Sequence, residues 1–374
     1  MAIQSSCGFR RTLYAKIQGL AIMVGFYNEE DICEIIDRIK IHSNDFSGKT
    51  VLLSGGRGFI GRYFIEVFKR LNASVLENPV HVIILDNLIT GKIDFTAEAS
   101  DNNIEFINHD IIKPFQYNGK LDFVIHAAGI ASPYYYRAFP METLDVAITG
   151  TRNMLELSEA SNARFIFFSS SEIYGDPEPE NVPTSEDYRG NVSCQGPRAC
   201  YDESKRVGET ITYIFHAQVG VKTNVIRPFN IFGPGMLEND YRVLPNFASK
   251  IKKGLPLQIY GNGSQTRTFC YITDAIFGFL MIILKGGPGE AYNIGNSNPE
   301  ISMIELAETI ERVISKKLIY HLIDYPDSYP QDEPMRRSPD ISKAKTQLGF
   351  EPRVKFENGL SKFLAWSNGA YSAK

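Results

Sequence analysis

Residues 50–61 read TVLLSGGRGFIG. The run Thr50–Ser54 is short and almost wholly apolar, which suits a strand buried on both faces. It leads directly into glycines at 55, 58 and 61, and an amphipathic helix is predicted over Phe59–Leu71. In a strand–turn–helix unit each glycine has its own task. The first permits a tight turn, the second lets the backbone approach a pyrophosphate, and the third lets helix and strand pack closely. The helix N-terminus then offers unpaired N–H groups to an anion. A bare glycine triplet also fits an ordinary turn. Here Asp86 ends the next strand candidate, His81–Asp86. An acid at that place accepts adenosine ribose hydroxyls and repels a 2′-phosphate. The reading is therefore NAD over NADP, with Arg57 and Lys92 leaving NADP open.

Outward from this unit the pattern alternates. Further strand candidates are Ile104–Asn108, Phe123–Ala127, Phe165–Ser169 and Thr223–Arg227, with helices between several of them, among them Thr143–Ser161 and Asp202–Val219. Short apolar strands alternating with helices predict an α/β fold, a Rossmann-like doubly wound parallel sheet. From about residue 229 Gly and Pro punctuate the chain, as in Gly233-Pro234-Gly235 and Gly286-Gly287-Pro288, and a smaller C-terminal lobe is expected. Tyr271–Leu284 again reads as a core helix. The division expected is 1–48 as an N-terminal helical extension, and 49–228 with about 268–295 as the cofactor domain. Residues 229–267 and 296–374 would form the substrate lobe.

Composition limits the alternatives. With 374 residues, 43% hydrophobic and 22% charged, the chain is globular. A net charge of −4 gives no footprint for nucleic acid. Five cysteines without paired or clustered spacing predict neither a disulfide scaffold nor a metal site, and place the protein in a reducing, cytoplasmic setting. The apolar run Leu20–Phe26, behind Arg10, Arg11 and Lys16, is too short to span a bilayer, so no membrane or targeting segment is read. Residues 28–41, with Ile32, Ile35, Ile36 and Ile39 at helical spacing, predict an amphipathic helix on the main body.

A second motif carries chemistry. Tyr201 and Lys205 stand one helical turn apart in residues 196–210, GPRACYDESKRVGET. Such a pair is often only a surface feature. Here the strand Phe165–Phe168 delivers Ser169-Ser170-Ser171-Glu172 at the sheet edge where doubly wound folds bind ligands. Tyr201 would take a proton from a sugar hydroxyl, Lys205 would favour the phenolate, and Ser170 would hold the hydroxyl. His126, before Ala127-Ala128-Gly129, reads as a satisfied core group.

From about Lys49 to about Leu364 the chain resembles the extended short-chain dehydrogenase/reductases, the NAD-dependent epimerase/dehydratase family. Within it the chain is most similar to the UDP-glucuronate decarboxylases. The resemblance is carried by SSSEIYGDP (169–177), GPRACYDESKR (196–206), YGNGSQTRTFCY (260–271) and PDISKAKTQLG (339–349). It implies NAD as cofactor, a nucleotide-sugar substrate, a homodimer formed through 143–161 and 202–219, and no metal. The implied reaction oxidises the sugar at C4, releases CO2 from C5 and reduces the ketone again. Epimerisation, dehydration or a keto-sugar product remain alternatives.

The same resemblance assigns roles by residue. Gly55, Gly58, Phe59, Ile60, Gly61, Asp86, Asn87, Asp110, Ile111, Ala127, Ala128 and Pro228 would contact the cofactor with Tyr201 and Lys205. Ser171 and Glu172 would join the catalytic set. Related 4,6-dehydratases carry Thr-Asp-Glu there, so the acid for water loss is missing while Glu172 is free for proton handling at C5. Arg267 would pair with the substrate carboxylate or a phosphate. Ser132, Tyr136, Asn230 and Tyr260 would meet the sugar or base. Arg337, beside Arg336, would reach the diphosphate or ribose, or else be one of a solvated pair. The chain departs from the family pattern at Tyr134, Ala147, Phe229 and Gly235. These departures imply a changed sugar or nucleotide, or a reaction halted at the ketone.

Overall fold

A computed structural model of the chain describes residues 25–90, 101–325 and 334–372. Arg10, Arg11, Lys16, Lys92 and the apolar run before Gly25 lie outside the described residues. The central sheet is built from β1 (Thr50–Ser54), β2 (His81–Asp86), β3 (Ile104–Asn108), β4 (Phe123–His126), β5 (Arg164–Phe168), β6 (Thr223–Pro228) and β7 (Ala291–Ile294). Their order is β7-β6-β5-β4-β1-β2-β3, and every pairing is parallel. The order reverses between β1 and β4, so a crevice opens beyond their C-terminal ends. Val51, Leu52 and Leu53 of β1 are fully buried, as expected for a strand covered by helices on both faces.

Helix α1 (Glu29–Ile39) has acids in its first turn and Arg38 in its last, the arrangement its dipole favours. Its four isoleucines are buried, each contributing about 2 kcal/mol by leaving water. They pack near α2 (Phe59–Ser74) and α5 (Ile272–Lys285), where every residue of α5 except Lys285 is buried. Helix α3 (Thr151–Ser161) does not begin at Thr143. A short helix, Pro140–Asp145, and one wider turn, Val146–Gly150, precede it. Helix α4 (Ala199–Ile214) starts three residues before Asp202 and ends in a similar wide turn, Phe215–Val219.

The rest of the chain supplies small sheets above the C-terminal edge. One of them holds Thr266–Arg267 between Ile301–Ser302 and Arg336–Arg337, with Arg337 registered against Arg267. Strand geometry sends adjacent side chains to opposite faces. Arg337 therefore points inward, while Arg336 turns outward to Glu300 at 2.8 Å.

Candidate active site

The glycine turn leaves β1 with Gly55 at φ +76°, a conformation other residues resist. A Cβ on Gly55 would come within 2.6 Å of the Ala128 backbone, and one on Gly61 within 2.4 Å of the Gly55 carbonyl oxygen. A Cβ on Gly58 would meet only that same oxygen, at 3.4 Å. Gly58 thus faces open space, a cavity of about 260 Å³ that Phe59, Ile60, Ala127 and Pro228 also line. Two buried hydroxyls in its wall, on Ser132 and Ser169, have no hydrogen-bond partner among the described residues. An open backbone approach and unspent polar groups fit a ligand carrying a diphosphate and hydroxyls. A neighbouring cavity of about 80 Å³ is lined by Asp86, Asn87, Ile111, Ala127 and Ala128. The Asp86 carboxylate accepts from the Arg57 and Leu88 backbone N–H groups at 2.9 and 2.8 Å. The Arg57 guanidinium packs on the Phe106 ring, 4.5 Å from its centre. Asp110 is not among the lining residues; its carboxylate accepts from the Ile112 N–H, closing its own turn at 3.3 Å.

Helix α4 presents Tyr201 and Lys205 to the larger cavity, both buried. Lys205 Nζ donates to the Phe168 carbonyl at 2.9 Å and lies 5.8 Å from the centre of the Tyr201 ring. Tyr136 stacks on Tyr201 with ring centres 5.2 Å apart. Burial pushes Tyr201 up to about 12, a hydrogen bond with Ser170 works against this, and the Glu172 carboxylate adds to it. Burial also pulls Lys205 down to about 8. Loss of water thus outweighs the attraction of the pair and favours the neutral form of each. His126 is fully enclosed, with its ring nitrogens 2.8 Å from the Ser54 hydroxyl and 3.1 Å from the Thr151 hydroxyl. Burial pushes it down to about 3, so it stays neutral.

The turn after β5 carries the remaining groups. Ser170 Oγ accepts from the Glu172 N–H at 3.2 Å and so caps the turn Ser171–Tyr174. Ser171 lines the larger cavity. Arg337 grips Glu172 with two bonds of 2.6 and 2.5 Å, and Arg198 donates to the same carboxylate. Arg198 also donates to Asp202 at 2.8 Å. Burial, then the nearby Glu172 carboxylate, pushes Asp202 upward. The alternative that Arg337 is one of a solvated pair is corrected. It is buried on Glu172, while Arg336 alone faces outward.

A second cavity, about 190 Å³, shares Glu172, Tyr201, Asn230 and Arg242 with the first and adds Tyr136, Arg198, Arg267 and Arg337. Asn230 is held at φ +42° and donates to the Thr268 carbonyl at 2.8 Å. Arg267 is buried and donates to the Thr266 carbonyl at 2.8 Å. Tyr260 is not brought here: it lines neither cavity, and its ring stacks on Tyr325 with centres 5.5 Å apart. The sequence reading missed Arg198, Asp202 and Arg242. The Arg198/Asp202 spacing of one helical turn was a usable signal. Arg242 gives none, because it reaches the cavity only through a loop folded around its bond with Asp240.

Residues 51–295 match the model of the NAD dependent epimerase/dehydratase family. The chain is 40% identical over 319 residues to UDP-glucuronic acid decarboxylase 1 of Danio rerio, covering 85% of this chain and 72% of that one. It is 38% identical to UDP-glucuronic acid decarboxylase 5 of Arabidopsis thaliana, over 84% of this chain and 88% of the relative. Among solved structures, it is similar to UDP-glucuronic acid 4-epimerase from Bacillus cereus in complex with UDP-glucuronic acid and NAD. The TM-score is 0.73 at 25% identity, over 86% of this chain and all of that one. The chain therefore belongs to the NAD dependent epimerase/dehydratase family.

Proposed function

We propose that this protein converts UDP-glucuronate to UDP-xylose, releasing CO2 through a 4-keto intermediate. The observation that carries the reading is the meeting of Tyr201 and the arginine-held Glu172 at the junction of two cavities, with Lys205 in the wall of the first. It is supported by relatives near 40% identity that are named UDP-glucuronic acid decarboxylase. Bound NAD supplies a reversible acceptor for the C4 hydride. With NAD bound, its nicotinamide cation and protonated Lys205 would favour the Tyr201 phenolate, which takes the C4 hydroxyl proton while Ser170 holds that oxygen in place. The C4 ketone then draws electrons from the breaking bond between C5 and the carboxylate carbon, leaving an enolate. Glu172 governs the proton that arrives at C5, and Arg198 and Arg337 fix its carboxylate. Arg267 holds an anionic group of the substrate, for which its planar fork is suited. Tyr201 finally returns its proton to the C4 oxygen.

The reading includes a homodimer. Met141, Ile148, Tyr213 and Ile214 are exposed apolar side chains on or beside the expected pairing helices. It also includes a reducing, cytoplasmic setting, supported by Cys194, Cys200 and Cys270, none of which stands in a disulfide. Among the described residues no helix is long and apolar enough to cross a membrane, and no group of acidic, His or Cys side chains could hold a metal.

A 4-epimerase is the second reading, favoured by the similarity to a solved UDP-glucuronic acid 4-epimerase. One experiment separates the two. The purified protein is given UDP-glucuronate, and the product is weighed by mass spectrometry while CO2 is collected. Loss of one CO2 from the sugar nucleotide is expected. Unchanged mass at a new retention time would establish epimerisation, and loss of water a dehydratase.

A further inference from the structure

We propose that the N-terminal arm is a fixed wall of the cofactor cavity, with Phe26 as the side chain that seals it over the first turn of α2. The inference rests on the NAD reading above. Phe26 lies outside the stretch matched to the family, yet its ring lines the same cavity as Gly58, Phe59, Ile60 and Arg62. It occupies space that only a glycine can leave open. Gly235 sits at φ +97°, and a Cβ there would come within 2.5 Å of the Phe26 ring. The Arg62 guanidinium lies 4.6 Å from the ring centre, and the Tyr63 ring centre is 6.1 Å away.

The arm is fastened from several directions. Trp366 Nε1 donates to the Gly25 carbonyl at 2.8 Å, and the Tyr27 hydroxyl donates to Glu66 at 2.8 Å. Asp31 is fully buried and accepts from the Tyr271 hydroxyl at 2.6 Å and from Lys362 at 3.0 Å. Arg38 pairs with Asp274 at 2.5 Å on a face that is also buried. Such anchoring makes the segment from Gly25 to Arg38 a built part of the fold. Its effect at the cavity follows from electrostatics. The first turn of α2 offers N–H groups to a diphosphate, and those bonds strengthen as water is excluded. The ring also holds the Arg62 cation beside that turn. A reaction that ends with its cofactor in the starting state gains from holding it between turnovers.

The test uses full-length wild type, Phe26→Ala, Phe26→Leu and Gly235→Ala. NAD carried through desalting is quantified after acid release. Its dissociation is timed by dilution into excess of a dehydrogenase that consumes free NAD, and melting temperature is recorded alongside. Phe26→Ala and Gly235→Ala, which removes or displaces the ring, are expected to release NAD about tenfold faster, equal to about 1.4 kcal/mol. Phe26→Leu, which keeps an apolar cover, stays within about threefold of wild type on the same scale. Wild-type release rates in folded Phe26→Ala and Gly235→Ala would overturn the inference and leave the functional reading intact. A wild-type protein that binds no NAD would overturn both.

Discussion

On one side of the cavity, at the turn from Gly55 to Gly61, glycines at 55, 58 and 61 bring backbone groups to the wall. On the other, at Glu172, the groups are charged side chains drawn from separate segments, with Arg337 lying 165 positions along the chain from the carboxylate it grips. The first side is a local device, complete within a dozen residues. The second exists only after the chain has folded. On the proposed function, the difference teaches where each task would be stored: cofactor binding in a short motif, and the choice of reaction in a long-range ion cluster. Tyr201 stands between them, with its ring on the Tyr136 ring and its charge state set by burial.

If that division is right, damage at the boundary should stop the chemistry without touching the cofactor side. Tyr201→Phe is expected to lower C4 oxidation by about 10³-fold, while NAD content stays at the wild-type level. Oxidation at the normal rate would mean that another base is at work. Damage within the ion cluster should be smaller and later in the reaction. Glu172→Gln is expected to slow CO2 release by about 10²-fold while C4 oxidation continues. Equal loss in both steps would reduce Glu172 to a structural role.

The neighbouring arginines sharpen the contrast further. Arg337→Met leaves Glu172 with Arg198 alone, and turnover is expected to fall by about tenfold. Arg336→Met removes a half-exposed pair with Glu300 and should change turnover by less than about twofold. Similar losses in both variants would show that the inward and outward positions are not distinct. The smallest expected effect is on stability. Burial lowers Lys205 from 10.5 to about 8, so between those values the unfolded chain binds the proton more tightly. The contribution of Lys205 to stability is present above pH 10.5 and lost as pH falls through about 8. At pH 7 the charged lysine is a cost, and Lys205→Met should melt about 2 °C higher. The gap should narrow as the pH is raised above 8. A variant that melts lower at pH 7 would place more weight on the lost bond to Phe168.

These same features explain what could be read beforehand. Strands β1 and β2 were legible to the residue because buried parallel strands appear as nearly unbroken apolar runs, and β3 was read with the same bounds although only its Ile104 is buried. Strand β7 was not expected as a strand. It is four residues long, and its Asn293 looks like a turn residue while serving as a buried hub that bonds Thr184 and Tyr174. Tyr201, Lys205 and Ser170 reach the cavity because helical spacing and a strand end place them there. The pairing of Arg337 with Glu172 was not legible, since nothing in a linear reading says which carboxylate lies opposite. The stacking of Tyr260 on Tyr325 was hidden for the same reason.

The central claim is that Tyr201 begins the reaction and Glu172 is needed only afterwards. Rapid mixing of NAD-loaded Glu172→Gln with UDP-glucuronate, following nicotinamide absorbance and evolved CO2 together, tests it most directly. The account predicts that reduced nicotinamide forms at close to the wild-type rate and persists, with a 4-keto uronate trapped and little CO2. No reduction at all, or CO2 at the wild-type rate, would contradict it.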